Sequence, residues 1–147
     1  MTVSLLDINV LLALMDLDHS HHDTVVAWFD TAADDGWATC AITENGFVRI
    51  CSQPGYANPV TTTDAIMRLR SATSDPAHQL WGCDVSLLDP AAVDPAGLLG
   101  PSQVTDVYLL ALAVRHGGRL VTLDRRVNAA AVHGAAAESF LVLAPAD

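Results

Sequence analysis

Four carboxylates in this 147-residue chain stand where an apolar run meets a helical one: Asp7, Glu44, Asp106 and Asp124. The chain has only two glutamates, Glu44 and Glu138, so Glu44 within an otherwise apolar stretch is not background surface charge. Carboxylates gathered within a few Å raise one another's pKa and cost stability unless something neutralises them. Hard divalent cations such as Mg²⁺ or Mn²⁺ take such oxygen ligands and keep several waters. A site of that kind can activate water and stabilise the charge that develops on a phosphodiester. Each acid also has a plain structural use. Asp7 and Asp124 can cap the turns that follow them, and Glu44 and Asp106 can complement a helix dipole. The recurrence of acids at junctions is what favours a shared site over four separate caps.

Convergence requires elements that bring the four together. Val3-Ser4-Leu5-Leu6 reads as a buried strand that runs through Asp7 straight into the apolar helix Ile8–Leu14. A helix over 24–33 is stopped by Asp34-Asp35-Gly36. Trp37–Ile42 reads as a second strand, with Thr43 as N-cap of a helix through Cys51. Residues 53–59 form a loop by their Pro, Gly and Asn content, and a helix starts at Thr62/Thr63 and ends before Pro76. Gln79–Cys83 is a candidate third strand, and 86–101 is loop with one helical turn. Ser102–His116 predicts a buried helix ended by Gly117-Gly118. Arg119–Asp124 repeats the opening logic of strand and then Asp, a short helix through Val127 and Ala131 follows, and Phe140–Leu143 is a last strand. Strands alternating with helices predict a three-layer α/β/α domain around a mainly parallel sheet, spanning 1–147. In such a sheet the carboxyl ends of the strands share one edge, where ligand crevices form. Asp7, Glu44 and Asp124 then meet there, and Asp106 joins them if its helix starts at that edge.

Bulk properties narrow the chemistry. Every one of the seven basic residues is arginine. The lack of lysine removes P-loop, Schiff-base and lysine-dependent phosphotransfer chemistry. A formal charge of -10 argues against a general nucleic-acid coat, since phosphate binding is mainly Lys/Arg electrostatics. No apolar run approaches the ~20 residues of a membrane span, and no signal peptide is apparent. The expectation is a soluble cytoplasmic protein. Cys40, Cys51 and Cys83 are widely spaced and read as small buried hydrophobes.

The segments Leu6–Leu11, Thr43–Arg49, Thr105–Ala111 and Leu120–Asp124, in that order and over nearly the whole chain, resemble the PIN-domain family, more narrowly its VapC-type toxins from toxin–antitoxin pairs. The resemblance implies a Mg²⁺- or Mn²⁺-dependent endoribonuclease. Asp7, Glu44, Asp106 and Asp124 match the family's acidic positions, and Asp7 and Asp106 match its best-defined metal ligands. Asn9 and Thr122 match supporting polar positions. It also implies an RNA substrate, a small VapB-type antitoxin that covers the site, and a homodimer. Where the family often carries an aromatic beyond the fourth acid, this chain has Arg125 and Arg126, which could hold flanking phosphates by bidentate contact. That departure leaves open whether Asp124 binds metal directly or through water.

Rival readings are weaker. Zinc at His19, His21 and His22 lacks further ligands at workable spacing. Asp16-Leu17-Asp18 follows a helix, not the strand that a phosphatase DxD motif needs. Trp28, Trp37 and Trp81 fit core packing better than base stacking. The serious alternative is a PIN-like protein that binds RNA or its antitoxin and cleaves little.

Overall fold

The computed structural model describes residues 1–143. Five strands, β1 (Ser4–Leu6), β2 (Trp37–Cys40), β3 (His78–Trp81), β4 (Arg119–Thr122) and β5 (Phe140–Val142), form one sheet in the order β3-β2-β1-β4-β5, every pair parallel. The helices are α1 (Ile8–Met15), α2 (His22–Ala32), α3 (Ala41–Cys51), α4 (Thr62–Ala72) and α5 (Val104–Arg115).

Strand alternation sorts the core into two halves. Leu5, Ala38 and Leu120 face α5, packing on Val107, Leu109, Leu110 and Leu112. Leu6, Trp37 and Val121 face the other helices, packing on Val10, Leu11, Val25, Phe47 and Leu69. β1 is buried along its whole length, as an unalternated apolar run in a central parallel strand should be. Trp37 and Trp81 are core residues. The predicted α/β/α layering is what the chain adopts.

Several local expectations are corrected. α3 starts at Ala41, so Thr43 is its third residue and not its N-cap. Thr43 Oγ1 accepts from Cys40 N at 3.0 Å and reaches Cys40 O at 3.1 Å, so the side chain ties the helix start back to the strand end. No helix runs through Val127 and Ala131, only a 3-10 turn at Ala129–Ala131. There Asn128 Oδ1 accepts from Ala130 N while its Nδ2 donates to Gly97 O, binding the segment to a neighbouring loop. α2 begins at His22, earlier than its apolar spacing indicates. Cys83 is exposed beyond the end of β3, unlike buried Cys40 and Cys51.

The β1–β4 pair sets the position of the first acid. Ser4 pairs with Arg119, Leu5 with Leu120 and Leu6 with Val121, so one step further Asp7 lies beside Thr122. That register begins at Gly118, where a Cβ would fall 2.5 Å from the Val3 carbonyl oxygen and 2.7 Å from the Trp81 ring. Val3 O also accepts from Arg119 N at 3.0 Å and cannot retreat freely. Gly118→Ala should therefore lower stability by about 1–3 kcal/mol, as overpacking does. An unchanged urea midpoint for that variant would show that β4 shifts at no cost.

Candidate active site

Asp7 leaves β1 in an extended conformation (φ -62°, ψ 160°) and is the N-cap of α1. Its Oδ1 accepts from Ile8 N at 2.7 Å and its Oδ2 accepts from Thr122 Oγ1 at 2.7 Å. Asp7 is 3% exposed and Thr122 is fully buried. Burial raises the Asp7 pKa; the two hydrogen bonds oppose that rise and the charge of Asp124 adds to it. Asn9, on the first turn of α1, links the layers. Its Nδ2 donates to Thr122 Oγ1 at 3.3 Å and its Oδ1 accepts from Leu123 N at 3.1 Å. Thr122 Oγ1 also accepts from Asp124 N at 3.1 Å. The residues after β4 are thus hung on the same hydroxyl that fixes Asp7.

Asp106 lies in the first turn of α5. Its pKa is raised to about 7, by burial first and then by the charges of Asp7 and Asp124. A hydrogen bond to Asp124 adds to the rise. The same contact lowers Asp124, after the larger effect of Arg126. Arg126 Nε donates to Asp124 Oδ1 and Nη2 to Oδ2, each at 3.1 Å, and Arg126 N donates to Oδ1 at 2.9 Å. Three of the four acids picked from sequence therefore act on one another directly.

Glu44 reaches the same sheet edge, on the first turn of α3, but is tied to other groups. Its Oε2 accepts from Thr39 Oγ1 at 2.7 Å, and His78 Nε2 lies 2.8 Å from that hydroxyl. Burial lowers the His78 pKa and the Glu44 charge works against that shift. Sequence reading passed over Thr39 and His78. Thr39 carried a signal, a polar residue in the otherwise apolar run Trp37-Ala38-Thr39-Cys40. His78 carried none, because the strand was taken to start one residue later. The clustered histidines make local bonds: His19 Nδ1 accepts from His21 N at 3.0 Å, and His22 Nδ1 lies 2.7 Å from Ala13 O.

Among the described residues, no three acidic, imidazole or thiol groups are placed so that together they could hold a metal ion. The donor chemistry nevertheless suits a hard cation. Mg²⁺ is commonly held by one or two carboxylates with waters and phosphates supplying the rest. Asp7 and Asp106 could provide such a pair, and a cation there would offset what raises the Asp106 pKa to about 7, burial first and then the charges of Asp7 and Asp124.

The crowding has a signature in the metal-free protein. In the unfolded chain Asp106 loses its proton near the ordinary value of about 3.9. The folded chain keeps that proton up to about 7, so it binds the extra proton between the two values. Stability from this group is therefore full at the acid end, is lost as pH rises across that window, and is gone above it. Asp106→Asn should melt higher than the unsubstituted chain at pH 8 by roughly a few degrees, with the gap closing towards pH 4. A gap of the same size at both pH values would show that Asp106 is not crowded.

The PIN domain family model matches residues 4–132. Ribonuclease VapC44 of Mycobacterium tuberculosis is 49% identical over 140 residues, covering 95% of this chain and 99% of that one. Ribonuclease VapC39 of the same organism is 44% identical over 122 residues, covering 82% of this chain and 88% of its own. Among solved structures, Mycobacterium tuberculosis VapC20, described as a sarcin-ricin loop cleaving toxin, aligns with a TM-score of 0.58 at 9% identity. It covers 79% of this chain and 85% of its own. VapBC2 of Rickettsia felis, solved with a promoter DNA fragment, aligns with a TM-score of 0.61 at 13% identity, covering 84% and 89%. At such low identity these two show the shared fold, whereas the family match and the mycobacterial sequences show descent. The chain belongs to the PIN domain family, among its VapC members.

Proposed function

We propose that the protein is a divalent-metal-dependent endoribonuclease, the toxin of a type II toxin–antitoxin pair. The observation that carries this reading is the gathering of Asp7, Asp106 and Asp124 at the carboxyl edge of a parallel sheet, where burial first and then the charges of Asp7 and Asp124 raise the Asp106 pKa to about 7. The relatives named as ribonucleases support it.

In this reading Asp7 and Asp106 hold Mg²⁺ or Mn²⁺, with Asp124 and Glu44 completing the site directly or through water. When bound there, such an ion would supply Lewis-acid activation of water and charge stabilisation at the leaving 3′ oxygen. The chain's own residues make that geometry dependable. Thr122 Oγ1 and Ile8 N pin both Asp7 oxygens, and Asn9 fixes Thr122 in turn. Asp106 gives up its proton as the cation enters. Arg125 and Arg126 hold phosphates flanking the scissile bond. A VapB-type antitoxin is the partner that silences the site, and the toxin acts as a homodimer of one nuclease domain each. Among the described residues no helix is long and apolar enough to cross a membrane, and cytoplasmic RNA is the substrate we assign.

A second reading, an RNA- or antitoxin-binding module with little cleavage, draws on one feature. Three of the four acids already accept hydrogen bonds, Asp7 from Ile8 and Thr122, Glu44 from Thr39 and Asp124 from Arg126. Cleavage of RNA by the purified chain separates the two. Asp7→Asn and Asp106→Asn should each reduce cleavage by at least about a hundredfold and abolish Mn²⁺ binding, while the chain stays folded by circular dichroism. Asn at position 7 is preferred because it keeps an acceptor for Ile8 N, whereas Ala also removes a cap worth about 1 kcal/mol. Products should carry a 5′-phosphate and a 3′-hydroxyl. Cyclic 2′,3′-phosphate ends, or cleavage that survives chelation, would overturn metal-activated water.

A further inference from the structure

Both oxygens of Asp124 are occupied by one guanidinium. Arg126 Nε and Nη2 each donate at 3.1 Å, one to each oxygen, and Arg126 N adds a third bond at 2.9 Å. The two side chains differ in accessibility: 72% for Arg126 and 19% for Asp124. The acid is the recessed partner of the pair, and the arginine covers it from the solvent side. Gln103 Nε2, at the turn before α5, reaches Arg126 O at 3.4 Å. The covering residue is therefore attached, through its backbone, to the segment that leads into the Asp106 helix.

We propose that Arg126 is an exchangeable latch: it blocks Asp124 against a cation in the free protein and moves to an RNA phosphate when substrate arrives, so that cation loading and RNA binding favour each other. The inference rests on the nuclease reading above. A planar fork matches a carboxylate and a phosphodiester equally well, so one side chain can serve both anions in turn. An ion pair whose arginine is this exposed is weak enough to be exchanged. A cation approaching Asp7 and Asp106 meets a positive neighbour for as long as the fork stays on Asp124. A phosphate that takes the fork removes this competitor and frees the third carboxylate for the cation. By linkage, the cation must then favour phosphate binding by the same factor. Arg126 acts here as a positioning residue for Asp124 before it touches substrate.

The test uses the full chain and reads Mn²⁺ binding by the loss of the free-ion EPR signal, with and without a short deoxyoligonucleotide as phosphate probe. Arg126→Ala should bind Mn²⁺ about two- to fivefold tighter than the unsubstituted chain when no oligonucleotide is present, the factor expected from losing an exposed ion pair. The gain in Mn²⁺ affinity on adding oligonucleotide should shrink by the same factor. RNA cleavage at saturating Mn²⁺ should fall although the metal is held more tightly. Arg126→Lys separates the latch from a simple charge effect: it keeps the positive charge but loses the two-point grip, so its Mn²⁺ affinity should also rise above that of the unsubstituted chain. Lys binding Mn²⁺ like the unsubstituted chain while Ala binds it tighter would reduce the effect to net charge and overturn the latch. Unchanged or weaker Mn²⁺ binding in Arg126→Ala, with the unsubstituted chain binding Mn²⁺ and cleaving RNA, overturns the latch and leaves the nuclease reading standing. An unsubstituted chain that neither binds Mn²⁺ nor cleaves RNA overturns both.

Discussion

The site depends on keeping anions together that repel one another. At a few Å and in a partly buried setting, two carboxylates repel far more strongly than in water. The fold meets that cost in three separate ways. Asp7 is stabilised by donors that cannot leave, the Ile8 amide and a buried threonine hydroxyl. Asp124 is stabilised by a cation that can leave, the Arg126 guanidinium. Asp106 has only a small opposing pull from Arg126, and burial, with the charges of Asp7 and Asp124, raises its pKa to about 7. The three solutions differ in permanence: fixed donors for Asp7, an exposed guanidinium for Asp124 and a proton for Asp106.

Parallel register explains why distant residues can be held this closely. Asp7 and Thr122 are separated by 115 residues, yet they are next neighbours across β1 and β4. Capping and chemistry are not rival explanations of Asp7. An extended N-cap conformation at the end of a strand turns the carboxylate across the sheet edge, and the cap hydrogen bond uses only one of its oxygens. The same local rule that starts α1 therefore also presents a ligand. The register in turn depends on close packing at the other end of β4, where Gly118 leaves space only for the Val3 carbonyl and the Trp81 ring.

Most of this was legible in the sequence, because burial periodicity and end signals follow from local chemistry. The unbroken apolar run of β1, the Gly117-Gly118 stop after α5 and the Asp at the end of β4 each name their element. The sequence misleads where a side chain's partner is not the one its type and spacing suggest. Thr43 looks like an N-cap by type, yet its hydroxyl reaches back to Cys40, and α3 starts before it. Val127 and Ala131 have helical spacing, but Asn128 is held by Gly97, thirty-one positions away in sequence, and the segment stays a single turn. Glu44 reaches the edge its element predicts and its bond to Thr39 is local, but the approach of His78 to the Thr39 hydroxyl depends on β2 and β3 lying side by side. Spacing predicts where an element points; it does not predict which neighbour claims a side chain.

The charge of the chain bears on how such a site would meet RNA. With a formal charge of -10 and seven arginines, long-range electrostatics oppose the approach of a polyanion. Nucleic-acid binders that neutralise many phosphates gain affinity on any sequence and lose it steeply with salt. This chain has little of that sequence-independent attraction to offer. Attraction must instead be local, supplied by a bound cation and by the few arginines placed beside it. Binding would then be weak away from the site and conditional on metal, so a free toxin would pass over most RNA without being held. Selectivity built this way follows from what the surface lacks as much as from what the pocket contains. In the proposed reading, an acidic exterior would keep RNA from settling anywhere except where Asp7, Asp106 and Asp124 are neutralised.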